Sequence, residues 1–190
     1  PRRRAAPLLS GPMAMTPPQP RPASSFVGRL RESWGLVRTG RIRRATTALA
    51  GAARRDLTDA ERVEHAALLL TCRLAVGDLP AASAAAAQLE PSLDGTGPDA
   101  VLAHLAHGEL AAARGAQEAA LDHYRHAGRL PDGADPGLPA WRGGAALALV
   151  HLRRRQAAAT LAHEQLALAE PTIEAWPIAG ALRTGAAVDA

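Results

Sequence analysis

From Phe26 onward the apolar residues come in runs of helical length, interrupted at intervals by glycine, proline and acidic turn residues. The 3.6-residue period predicts helices over 26–38, 42–54, 59–76, 79–90, 99–113, 117–130, 138–153, 156–170 and 174–187. Val and Ile are few and scattered, so no strand candidate stands out. The longer connections carry the breakers RRDLTDAE, EPSLDGTGPD, LPDGADPGLP and AEPTIEAWP, while Gly40, Gly77 and Gly115 mark tighter turns. Thr58-Asp-Ala-Glu61 has the form of a capping box, which satisfies free N–H groups at a helix start. The helices therefore come in pairs, with a short turn inside each pair and a longer one between pairs.

The tight turns repeat. GRIRRA from Gly40, GDLPAA from Gly77 and GAQEAA from Gly115 follow one another at intervals of 37 and 38 residues. Each glycine is placed to end a helix in the left-handed conformation that reverses the chain. Ala45, Ala82 and Ala120, five positions on, lie in the next helix, where a larger side chain would push the partner helix away. A fourth copy, Arg154-Arg-Gln-Ala-Ala-Ala159, keeps its alanine at Ala159 and loses the glycine. Periods of this length mean stacked helical hairpins, each burying a face against its neighbours.

The stretch GELAAARGAQEAALDHYRHAGRLP, from Gly108 to Pro131, resembles the tetratricopeptide repeat (TPR). Gly108, Gly115, Ala120, Tyr124 and Ala127 fall at that family's spacings, and Pro131 falls one residue early. The resemblance extends in weaker form over 26–187. It implies that Gly108 permits close helix approach and that Tyr124 fills the space the small residues leave. It also implies a groove lined by the first helix of each hairpin, with Trp34, Arg38, Thr71, Glu109, Trp141 and His151 as candidates for gripping a protein or peptide. Two departures stand against it. The family's period is shorter, and His104 and His107 occupy places where it prefers large apolar residues. Near the C-terminus, LAHEQLALAE and Gly180-Ala-Leu-Arg183 resemble the helical-repeat region of large actinobacterial LuxR-type transcription regulators. That resemblance implies a sensory array lying between a nucleotide-binding domain and a helix-turn-helix.

Composition narrows the picture further. Hydrophobic residues make up 47% of 190, yet only five are aromatic, so the apolar mass is mostly Ala and Leu, both strong helix formers. All 22 basic residues are Arg. With no Lys, a G-x-x-x-x-G-K-[ST] phosphate loop and Schiff-base or Ser-Lys chemistry are excluded. One cysteine, Cys72, excludes an intrachain disulfide and a multi-cysteine zinc site. Residues 1–62 carry a net charge of +9 and residues 63–190 a net of −5, a basic front and an acidic back. Residues 1–24, with PPQPRP, read as linker, and 25–190 as the repeat domain.

The histidines offer the most tempting chemistry. His104-x-x-His107 and His123-x-x-His126 are nearly symmetric about the Gly115 turn, a pattern that could build a zinc or nickel site. Helical register opposes this, because Ala120, Tyr124 and Ala127 define the inward face of their helix and turn His123 and His126 outward. No metal and no cofactor is therefore expected. Cys72, within LLLTCRLA, is read as a small buried apolar residue.

The expected molecule is all-α, a TPR-like α-α solenoid of about four helical hairpins plus a terminal helix. It is expected to be a cytoplasmic, non-catalytic protein-interaction scaffold, the sensory portion of a LuxR-type regulator. A free-standing TPR adaptor, or a metal- or small-ligand-binding helical protein, are the alternatives. Its expected partner is another protein or peptide, with self-association through an exposed apolar end. Neither a membrane nor direct nucleic-acid contact is expected.

Overall fold

A computed structural model describes residues 25–50, 57–134 and 141–169. Over these residues the chain is all-α: eight α-helices, two short 3-10 turns and no strand. The helices are α1 (Ser25–Arg38), α2 (Ile42–Ala50), α3 (Asp59–Ala75), α4 (Leu79–Ala87), α5 (Pro98–Ala113), α6 (Gln117–Arg129), α7 (Trp141–His151) and α8 (Arg155–Ala169). None is long and apolar enough to cross a membrane. The linker expected over 1–24 and the helix expected over 174–187 lie outside the described residues, as do 51–54 of the predicted 42–54 run, 138–140 of the 138–153 run and residue 170 of the 156–170 run.

The ends of the helices follow from local chemistry. At α3 the Glu61 N–H donates to the Thr58 hydroxyl at 3.3 Å, and the Thr58 N–H donates to the Glu61 carboxylate at 2.8 Å. These reciprocal bonds close the capping box. At α4 the Asp78 carboxylate accepts from the Ala81 N–H. The run predicted to reach residue 90 stops at Ala87: the Gln88 and Leu89 N–H groups bond three residues back, to Ala85 and Ala86, Pro91 has no N–H to continue the α ladder, and a 3-10 turn, Glu90–Ser92, takes over.

One turn geometry recurs four times. Gly40, Gly77 and Gly115 have φ of 72°, 76° and 79°. In each case the glycine N–H donates to the carbonyl three residues back, and the next N–H donates to the carbonyl five back, as in Gly115 to Ala112 and Ala116 to Ala111. This is the Schellman closure. The fourth turn makes the same bonds, Arg153 to Val150 and Arg154 to Leu149, with Arg153 at φ 59° in the glycine's place. The buried alanine five positions after each left-handed residue is Ala45, Ala82, Ala120 and then Ala158, all with 0% exposure. The sequence register for the fourth copy is thus corrected by one residue. Ala159 is half-buried at the rim of the core, and Ala158 holds the inner position. An L-residue in the left-handed region costs roughly 1 kcal/mol that glycine does not incur. Arg153→Gly is accordingly expected to raise stability by up to about 1 kcal/mol, less what glycine adds to unfolded-chain entropy. Urea unfolding of the two proteins checks this, and a loss of stability would show that the Arg153 side chain contributes more than its backbone strain costs.

Helices adjacent in sequence pack on one another, and the first members of successive pairs also meet, α1 on α3, α3 on α5 and α5 on α7. The result is three apolar cores in sequence. The first joins Leu30, Ala45, Leu49, Leu68 and Cys72. The second runs from α3 through α4 to α5, around Leu70, Ala82, Leu89 and Leu110. The third joins α5 to α8 around Leu105, Leu121, Tyr124 and Leu149. Each fully buried leucine is worth ~1.5–3 kcal/mol relative to exposure. Cys72 is completely buried in the first core, and that burial pushes its thiol above the usual range.

Candidate functional site

Tyr124 is the joint of the third core. Its ring lies between two glycines: a Cβ on Gly108 of α5 would stand 2.7 Å from its Cε1, and one on Gly144 of α7 would stand 2.5 Å from its Cζ. Gly128 of α6 plays the same part for the Trp141 ring at the start of α7. Burial pushes the Tyr124 phenol upward, and the nearby Glu109 carboxylate adds to the effect.

The six groove candidates sit on the odd-numbered helices. Thr71 of α3 and Glu109 of α5, 38 residues apart, are brought together, with the Thr71 hydroxyl donating to Glu109 Oε2 at 3.0 Å. Burial raises the Glu109 carboxyl, and the Thr71 hydrogen bond pulls it the other way. Trp34 of α1 donates its indole N–H to Glu64 Oε1 of α3 at 3.0 Å and is half-buried against the first core. Trp141 is half-buried against the third core, with the Arg142 guanidinium 4.7 Å from its ring centroid. Arg38 and His151 are exposed in the last turns of α1 and α7. The tryptophans therefore serve different cores, and among the six a hydrogen bond joins Thr71 to Glu109. Glu64, Gly128 and Gly144 join the set, although no sequence motif marked them.

The histidines depart most from expectation. His104 Nδ1 lies 3.1 Å from His123 Nδ1, across the seam between α5 and α6. The His104 and His126 rings stack with centroids 4.0 Å apart, and His107 and His123 stack at 5.4 Å. The expectation that His123 and His126 turn away from the first pair is corrected: all four imidazoles meet. A residue advances about 100° around a helix, so His123 lies only about 40° from Ala127 on the inward face. An imidazole of that reach crosses the seam from the edge of the face.

His104 itself is buried, 7% exposed. Its Nε2 lies 3.2 Å from the Leu93 carbonyl. A carbonyl only accepts, so Nε2 carries the proton and Nδ1 presents a lone pair to His123. Burial, then the neighbouring His126, lowers the His104 pKa to about 4, with the Leu93 bond opposing the shift. Burial and the His107 and His126 imidazoles lower His123 also. His107 Nε2 is buried without a hydrogen-bond partner.

Between about pH 6.5 and 4 the unfolded chain takes up a proton at His104 that the folded chain resists, so stability falls as pH falls through that window. After allowance for solvent screening, the expected loss is about 1–2 kcal/mol. Thermal unfolding in chelator across this range checks it. His104→Gln should flatten the slope, and an unchanged slope would place the acid sensitivity elsewhere.

Compared with protein-family models, with curated proteins and with solved structures, the chain gives no significant match.

Proposed function

We propose that the chain is a non-catalytic protein-interaction scaffold, built as a TPR-like α-α solenoid and serving as the sensory array of a cytoplasmic LuxR-type regulator. The observation that carries this reading is the recurring unit: a Schellman turn, an alanine of 0% exposure five residues later, and first helices that pack on one another from α1 to α7. Each unit buries its face only by lying against the next, which is how helical repeats obtain a core without a globular centre. The odd-numbered helices then form one wall. Thr71–Glu109 and Trp34–Glu64 tie that wall together, and exposed Arg38 and His151 offer it polar contacts. The LuxR assignment rests on the C-terminal resemblance, and the coding sequence flanking this chain tests it: further hairpins followed by a helix-turn-helix are expected.

The wall is tested by affinity capture with the full chain, followed by hydrogen–deuterium exchange on the captured complex. Slower exchange is expected in α1, α3, α5 and α7, and Arg38→Glu with His151→Glu should weaken capture. Protection confined to α2, α4, α6 and α8 would overturn the groove.

A further inference from the structure

We infer that the α5–α6 seam is a binding site for a borderline-soft divalent cation of the zinc class, held by His104, His107 and His123 with His126 closing its outer side. The geometry of one pair points to it. Two nitrogens bound to one tetrahedral zinc, each at about 2.0–2.1 Å, are about 3.3 Å apart. His104 Nδ1 and His123 Nδ1 are already 3.1 Å apart, from two different helices.

Two further observations are independent of that distance. The His104 Nε2–H is committed to the Leu93 carbonyl, which fixes the ring and leaves Nδ1 as the lone pair turned toward His123. A backbone carbonyl on the distal nitrogen is the usual outer partner of a metal-bound imidazole. His107 Nε2 is the second: a buried nitrogen with no hydrogen-bond partner, on a ring stacked over His123. Buried polar atoms left unpaired are uncommon, and a ligand is one way such an atom is satisfied.

The proton that His123 Nδ1 shares with His104 moves to His123 Nε2 when a cation takes its place, so the cluster gains the ion without changing its own proton count. Among the described residues no three ligand groups already surround a common point. Loading therefore turns the His107 ring toward the pair, and His126, exposed and stacked on His104, lies over it. The site does not depend on the scaffold reading, since it involves a single hairpin and the Leu93 carbonyl.

The experiment uses the untagged full chain, stripped with chelator and titrated with zinc chloride by calorimetry, with thermal unfolding in parallel. One equivalent per chain is expected to bind in the micromolar range and to raise the unfolding temperature. His104→Gln and His123→Gln should each weaken binding at least tenfold, while His163→Gln, on α8, should leave it unchanged. If His104→Gln fails to fold, His123→Gln with helical content verified by circular dichroism carries the test. Cobalt substitution should give the intense visible bands of a four-coordinate site. No saturable uptake in the micromolar range, or uptake that survives His123→Gln at wild-type affinity, overturns the proposal.

Discussion

Gly144→Ala is expected to destabilise the protein by about 1–3 kcal/mol, and Gly108→Ala to act in the same direction. The sign is not obvious, because alanine in a helix interior is favoured over glycine by about 1 kcal/mol. Packing decides it. The added methyl at Gly144 would lie 2.5 Å from Tyr124 Cζ and 2.6 Å from Cε1, and at Gly108 it would lie 2.7 Å from Cε1. Tyr124 is 6% exposed and cannot retreat from one helix without striking the other. Relief therefore requires α5, α6 and α7 to separate, which loosens the whole third core. Combining Gly144→Ala with Tyr124→Leu should recover part of the loss, since the smaller side chain no longer fills the slot. The coupling is read from a double-mutant cycle in urea. Gly144→Ala with wild-type stability would mean that the ring does not hold these helices at their spacing.

The second large effect concerns the recurring alanine. Ala158→Leu is expected to cost about 1–3 kcal/mol or more by overpacking. Ala159→Leu, at the rim of the same core, should cost under about 1 kcal/mol. Ala120→Leu is the reference, because Ala120 and Ala158 hold equivalent places five residues after a left-handed turn, both with 0% exposure. Thermal unfolding of the three variants compares them directly. A larger loss at Ala159 than at Ala158 would restore the register that the sequence alone suggested.

That one-residue shift shows what could be read in advance. Among the described residues the helices, their pairing and three of the four tight turns were legible because apolar periodicity and glycine are local signals. The fourth turn was not, because left-handed backbone is announced in a sequence only by the residue that favours it. Arg153 adopts that conformation where nothing in its chemistry advertises it. Gly108, Tyr124 and Ala127 were recognisable together because they share one hairpin. Gly144 and Gly128 were not, since each acts on an aromatic ring of a different hairpin. The four histidines were visible as a symmetric pattern, yet their meeting was argued away. A helical wheel treats side chains as radial spokes, whereas a long ring at the edge of a face reaches sideways over the seam. For the first helices of the pairs, the sequence offered positions but no partners, and so Glu64 and the Thr71–Glu109 bond came only from the fold.

α3 supplies Leu68 and Cys72 to one core and Leu70 to the next, and α5 supplies Leu110 to one and Leu105 to another. They are party walls between apolar compartments, with a room on either side. Melting one compartment strips the back of the wall that its neighbour relies on, so damage in any room is shared along the row.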